Sequence, residues 1–471
     1  MTGDGNGNGA TGEAGNGDGV GGREPGDLLA LATALVERAR SNEEIEVACS
    51  YGRSTSVRAY GGEVESLTTA ENHAIGVRVL VDGREGFASA GTLDDDVVSA
   101  MLAEARDNAR FAETDPHVGI AKPDGVDAVE IDLWRAGVET TPNQRKIDLA
   151  LELERRVKDA DPRITGVRVA GYGDSSGAFA LASTSGIAAA TRATSASVSV
   201  QALARDGERT QTGYAWDGGR EPDDLDLDRV VERAVSHSVD LLGSSQPKTG
   251  TVDLVLDPHL ASTVLGLIAG TLTGDRVLKG RSPFVDRVGE TVAAPALTFL
   301  DDPTDASSLG ADSHDGEGLA CRPVPLVSDG VLDGFLHDSY TGRRSGAGST
   351  GSAVRGTRGL PSPGLHALTV RPGAGTLDEL IAGVDHGLLV FSLAGLHSGV
   401  NPVSGDFSVG VEGRMIRNGQ IAEPVNECTI ASTLQRLLLD VRAIGGEVTH
   451  LPSGVSTPPV VIGDIALSGA A

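Results

Sequence analysis

Two hydrophobic rhythms alternate along this chain, one of period two and one near 3.6 residues. Asp27 is placed to cap a helix running to Arg40, with Leu28, Leu31, Leu35 and Ala39 on one stripe. Five strand-like runs follow at Glu46–Ser50, Ser56–Tyr60, Val64–Thr69, Ala74–Val81 and Gly86–Ala90. Gly61-Gly62 and Asp82-Gly83 punctuate them, the second being a hairpin dipeptide. Thr92 then opens a helix whose apolar face is Val97, Val98, Met101, Leu102, Ala105 and Ala109.

The same order recurs. A helix capped at Thr141, with Pro142 in its first turn, is predicted to reach about Asp161. Strand-like runs cover Gly166–Tyr172, Gly177–Ala182, Ala188–Thr194, Ala196–Ala204 and Thr210–Ala215, with Asp206-Gly207 as the matching hairpin signal. A helix over Leu227–Leu242 closes this second unit. The repeat of meander plus helix reads as a weak internal duplication.

Beyond the Gly-, Ser- and Pro-rich stretch at Gly243–Gly250, the pattern changes to short strands and Gly-rich loops. Helices are predicted from about His259 to Thr273, over Thr376–Val384 behind a Thr-Leu-Asp-Glu capping box, and over Thr429–Ile444. The expected organisation is a Gly-rich acidic disordered tail (1–24), a first α+β block (25–125), a second (126–245) and a β-rich C-terminal domain with peripheral helices (246–471). The fold class is α+β.

Charge narrows the function. Sixty-six acidic residues face 39 basic ones, for a net charge of −27. Lysine occurs only at Lys122, Lys146, Lys158, Lys248 and Lys279, so the cationic side chains are almost all Arg. A dense acidic surface suits high salt, where screening relieves self-repulsion. It argues against nucleic acid and anionic membranes as partners. No run approaches a membrane span, and the first residues carry neither a basic nor an apolar signal region. Cys49, Cys321 and Cys428 are far apart, which fits reduced thiols and a cytoplasmic protein.

Motif chemistry is mostly negative. None of the ten histidines is followed by Glu, so a zinc-protease helix cannot be read from a His-Glu pair. Gly346-Ala-Gly348-Ser-Thr-Gly351 fits a dinucleotide pattern without its strand and helix, and reads as a flexible loop. Gly173-Asp-Ser175-Ser-Gly177 fits a nucleophile elbow but reads as a turn between strands. Asp94–Asp96 and Asp223–Asp228 read as acidic helix starts. The densest chemistry lies at Gly395–Gly410, where His397, Ser398, Asn401, Ser404 and Asp406 fall within ten residues. They suit either a catalytic set or a loop fixed by Asn and Ser bonds to backbone.

That loop resembles a hallmark of the PmbA/TldE branch of the TldD/PmbA family. So do Gly76-Val-Arg-Val, Asp82-Gly-Arg-Glu-Gly-Phe87, Gly280-Arg-Ser-Pro-Phe284, Val288-Gly289, Leu300-Asp-Asp302, Asn418-Gly419, Pro424-Val425 and Thr429-Ile-Ala431. The resemblance implies a three-segment, cytosolic metalloprotease-type protein. In the catalytic TldD branch, a His-Glu-x-x-x-His helix precedes a Gly-Asp pair. Gly274-Asp275 is similar to that pair, which puts the metal-motif positions on Leu265, Gly266 and Gly270. No Cys follows Cys428 to match that branch's further ligand. The implied role is a companion lacking its own zinc, paired with a zinc-bearing TldD-like subunit around a cavity where unfolded peptides are cleaved. His397, Ser398, Asn401, Ser404, Asp406, Arg343 and Arg344, with the Gly-rich Arg343–Arg358 stretch, would face that cavity. A hydrolase acting alone or as a homodimer through the His397–Asp406 cluster, and a peptide-binding scaffold, stay open as alternatives.

Overall fold

In a computed structural model, residues 24–470 are described; the segment read as a disordered tail, up to residue 23, lies outside them. The fold is α+β and rich in strands. Helix α1 (Pro25–Val36) leads into strands β1 (Glu44–Tyr60), β2 (Glu63–Val81) and β3 (Arg84–Ala90), then α2 (Asp95–Phe111). After the short α3 (Gly137–Thr140), α4 (Asn143–Ala160) leads into β4 (Ile164–Ser183), β5 (Ala188–Asp206) and β6 (Arg209–Gly219), then α5 (Leu227–Val239). All six strands form one antiparallel sheet in the order β3-β2-β1-β4-β5-β6, so residues 25–125 and 126–245 contribute mirrored halves.

The five runs predicted in each half merge into three long strands. Polar stretches such as Gly52–Ser56 looked like breaks, but β1 pairs there on both sides, with Asn72–Thr68 of β2 and Gly177–Gly173 of β4. Backbone bonding along both edges replaces the apolar signal. The Gly173–Gly177 segment is therefore mid-strand, not a turn. Asp82-Gly83 acts as read, both residues taking positive φ at 51° and 73°, whereas Asp206 still pairs with Arg209 as the last residue of β5 and the second turn falls on Gly207-Glu208.

Helices α1, α2, α4 and α5 bury their apolar stripes on one face of this sheet. Leu28 and Leu35 meet Ile45, Val47 and Cys49, while Leu149 and Leu153 meet Val57, Ala59 and Val200. Val97 stays exposed at the edge of its helix. The N-caps shift from the expected residues to Glu24, Asp94 and Pro142, and only the helix frames survive. Asp226 caps α5 as an acidic helix start should, accepting from the Arg229 amide.

The C-terminal region begins with β7 (Gly250–Leu256), α6 (Pro258–Ala269) and α7 (Gly274–Leu278). Next come β8 (Phe299–Asp301), β9 (Val324–Ser328), β10 (Val331–Leu332), α8 (Ser339–Ser345), β11 (Ala353–Val354), β12 (Ser362–Pro363) and β13 (Leu368–Val370). The chain ends with α9 (Leu377–Ala382), β14 (His386–Ala394), α10 (Leu396–Gly399), β15 (Asp406–Arg417), β16 (Gln420–Thr433), α11 (Leu434–Leu439), β17 (Val441–Ile444), β18 (Thr449–His450), β19 (Val455–Thr457) and β20 (Val460–Ser468). Two six-stranded sheets, β10-β9-β8-β13-β19-β18 and β16-β15-β14-β7-β20-β17, enclose one core with α6.

The capping box at Thr376 and Glu379 forms as predicted. The helix predicted over Thr429–Ile444 does not. Thr429–Thr433 continues β16, with Cys428 and Ile430 buried at strand spacing, and only Leu434–Leu439 coils. A β-branched run with an unbroken pairing partner outweighed a helical period that spanned two element types.

Candidate functional site

Helix α6 carries the positions where a metal motif would stand. Asp257 caps it by accepting from the Leu260 amide, and Val264, Leu265 and Ile268 point into the core. Leu265 is 4% exposed; a Cβ on Gly266 would reach the Val455 side chain at 3.5 Å; Gly270 ends the helix. Zinc requires His, Cys or carboxylate donors held about 2.0–2.3 Å away. A leucine and two glycines supply none, so this helix does not fit the metal. Among the described residues, no group of three or more His, Cys, Asp and Glu is arranged to hold one. Gly274 has a packing reason: a Cβ there would sit 2.2 Å from His337 Nδ1. Asp275 forms an ion pair with Lys279 at 2.6 Å.

The Gly395–Gly410 loop is held by its own groups. The Asn401 carboxamide oxygen accepts from the amides of Val403 (2.9 Å) and Ser404 (3.3 Å), an Asx turn. The Ser404 hydroxyl donates to Asp406 at 2.6 Å, and the Ser398 hydroxyl to the Gly395 carbonyl at 3.2 Å. Gln435 donates to the Ser404 carbonyl at 3.2 Å, fastening the loop to α11. Gly399 packs so closely that a Cβ would lie 2.0 Å from the Ser408 carbonyl oxygen.

His397, Ser398, Asn401, Ser404 and Asp406 are all exposed. The His397 ring makes no hydrogen bond to any described residue, so no nucleophile–base pair is formed through it.

Arg343 and Arg344 lie on α8, also exposed, and no hydrogen bond or ion pair joins them to that loop among the described residues. Arg343 donates to the carbonyls of His117 and Gly119, both at 2.8 Å. Arg344 donates to the Tyr340 hydroxyl at 3.2 Å. The Gly346–Gly351 segment, read as a flexible loop, is closed by Gly346 and Gly348 amides on the Gly342 carbonyl at 3.0 and 3.1 Å. Gly346, at φ 79°, ends α8 in the left-handed conformation.

What sequence reading missed is a buried charged cluster joining the two regions. Glu46 and Arg78 are register partners on β1 and β2, on the face turned away from the helices. The Arg78 side chain, 3% exposed, lies 3.7 Å from Glu46 and 3.9 Å from Glu317, bonds Glu85, and donates to the Gly119 carbonyl at 3.1 Å. Arg355, from the Gly-rich stretch, bonds Glu46 at the same carboxylate oxygen that Arg78 faces. Glu317 is fully buried and accepts from the Ser339 amide at 2.7 Å. Burial pushes its carboxyl up to about 8, with help from the charges of Glu46 and Asp315. Asp315, also buried, is pushed up to about 6 although it accepts three backbone amides. A protonated Glu317 leaves two guanidiniums facing two carboxylates, Glu46 and Glu85, which balances the cluster. One sequence signal was available: Arg78 interrupts the apolar run from Ile75 to Val81.

Above this cluster a cleft of about 360 Å³ opens between β2–β3 and α7–α8, lined by Arg78, Glu85, Asp115, Asp275, Asp338 and Tyr340. The Tyr340 hydroxyl donates to Asp115 at 2.9 Å. With five carboxylates, Glu113 included, against one guanidinium, the cleft favours cationic or amide-rich ligands over anions.

Comparison with known proteins gives the class. Residues 45–109, 137–242 and 249–469 match the models of PmbA/TldA metallopeptidase domain 1, central domain and C-terminal domain. The chain belongs to the PmbA/TldD family. It is 26% identical over 443 residues to the metalloprotease PmbA of Escherichia coli O157:H7, covering 93% of this chain and 95% of that protein. It is 26% identical over 445 residues to the metalloprotease PmbA homolog of Haemophilus influenzae, covering 94% and 95%. The crystal structure of TldE from Thermococcus kodakarensis superposes with a TM-score of 0.83 at 22% identity, covering 94% of this chain and 99% of that one, a likeness of fold.

Proposed function

We propose that this chain is the non-catalytic companion of a TldD-type zinc metalloprotease that cleaves unfolded peptides. The observation that carries the reading is helix α6, where Leu265, Gly266 and Gly270 occupy the metal-motif positions without a donor atom among them. Leu265 also packs into the core, so its replacement by a ligand would disturb the fold rather than open a site. In this reading the zinc belongs to a TldD-like partner in a heterodimer, and this chain shapes the wall of the shared cavity. The exposed His397 loop and the Arg343–Arg344 turn are surfaces for peptide or partner. The net charge of −27 supports a salty cytoplasm as the setting of the complex in this reading. No described helix is long and apolar enough to cross a membrane.

The test is to purify the chain in molar salt, measure its metal content and its cleavage of an unfolded peptide, then add a TldD-like chain. Cleavage only with the partner, and zinc only in the partner, supports the reading. Stoichiometric zinc with turnover in this chain alone, as a monomer or homodimer, overturns it in favour of an independent hydrolase. Failure to pair with any TldD-like chain leaves the peptide-binding scaffold.

A further inference from the structure

A second crevice, of about 310 Å³, lies between β6 and α5 of the N-terminal half and α6, β14 and β15 of the C-terminal region, the last two being the strands that flank the His397 loop. Its walls are aromatic. Trp216 meets His259 edge-on with ring centroids 5.1 Å apart, and His237 stacks on Phe391 at 4.2 Å and 4°. Tyr214, 53% exposed, stands at the mouth.

Its charges are unbalanced. Arg233 is committed to Asp257 in an ion pair. Burial keeps His237 and His259 neutral, pushing the first down to about 3 and lowering the second. Among the described residues Glu412 has no cationic partner, and its side chain accepts one hydrogen bond, from the Ser392 hydroxyl at 3.0 Å. His259 faces the Trp216 backbone, and its buried Nε2 has no partner among the described residues. The unmatched groups are thus a carboxylate, an imidazole lone pair and the faces of aromatic rings. All three attract a cation that carries N–H donors. Interfaces between domains are where such pockets recur.

We infer that the Trp216–Phe391–Glu412 crevice binds the basic side chain, Lys or Arg, of a peptide. This rests on the reading of the protein as a peptide-handling subunit, and names which peptide residues it would hold.

The experiment uses the full chain and N-acetyl-lysine methylamide, followed by calorimetry and Trp fluorescence. Saturable one-to-one binding is expected, with the uncharged norleucine analogue at least about tenfold weaker. Glu412→Gln should weaken the lysine probe about tenfold and leave the norleucine analogue unchanged, with the melting curve intact. Trp216→Leu should weaken both probes. Absence of saturable binding, equal affinity for the two probes, or indifference to Glu412→Gln overturns the inference. Cadaverine binding tighter than the lysine probe would assign the crevice to free amines and overturn the peptide claim. Because the measurement needs neither zinc nor cleavage, its failure leaves the companion-subunit reading standing, and failure of that reading leaves the crevice testable.

Discussion

The His397 loop and the Glu46–Arg78–Glu317–Arg355 cluster carry polar chemistry in opposite ways. The loop gathers its polar residues within ten positions of sequence, holds them at the surface, and spends Asn401, Ser404 and Asp406 on local turn bonds. The cluster draws one residue from each of four distant segments and buries them together, each needing the others. Polar density in a sequence marks a shaped turn. A lone charge inside an apolar run marks a long-range constraint, because an unpaired buried charge is too costly to keep.

The comparison can be broken most severely at Arg355. Arg355→Ala would leave Glu46, 1% exposed, with Arg78 at 3.7 Å as its nearest cation. Loss of one partner of a buried pair costs about 3–5 kcal/mol, so the urea midpoint should fall sharply. An unchanged midpoint would mean that the cluster is wet and that its charges are screened.

Glu317 offers the next effect. Its ordinary value is near 4.5 and the folded value is about 8. The folded protein therefore holds this proton more tightly than the unfolded chain. The resulting stability is full below about 4.5 and is lost as pH rises through about 8. Melting temperatures of the native protein should decline across that window, and Glu317→Gln, which keeps the neutral shape, should flatten the decline. Parallel slopes for the two proteins would refute the assignment.

The smallest effects separate architecture from function within the loop. Gly399→Ala forces a Cβ against the Ser408 backbone, an overpacking worth about 1–3 kcal/mol. His397→Ala removes an exposed ring with no hydrogen bond, and should stay within about ±0.5 kcal/mol. If activity of the assembled complex drops in the His397 variant while its melting curve holds, the ring works on substrate or partner. A large stability loss there would show an anchoring role that the static geometry lacks.

Much of the frame was legible in the chain: the hairpin glycines at Gly61-Gly62 and Asp82-Gly83, the face of α2, and the Thr376 capping box each follow from local backbone or side-chain rules. The length of β1 was not. Tyr51–Ser56 has no apolar alternation, and its order comes from strands that pair with it from elsewhere. Ile430, Leu434, Leu437, Leu438 and Val441 fitted one helix because a strand, a turn of helix and a second strand happened to present buried side chains in step. The His397 loop was visible as a loop, since turn chemistry is local. The two crevices and the ion cluster were hidden, because residues such as 46, 78, 317 and 355 become neighbours only when the sheet and the C-terminal region meet.

The central pairing of β1 with β4 has a consequence for synthesis. Tyr60 leaves the ribosome about a hundred residues before Ile164, where the strand that completes its sheet begins. At roughly 5–20 residues per second, that is on the order of 5–20 s. For that interval the nascent chain carries a long β1 edge ready to bond with any neighbour. A chaperone that shields strands, or the salt and acidic surface that keep nascent chains apart, would matter more to the yield of this protein than to its finished form.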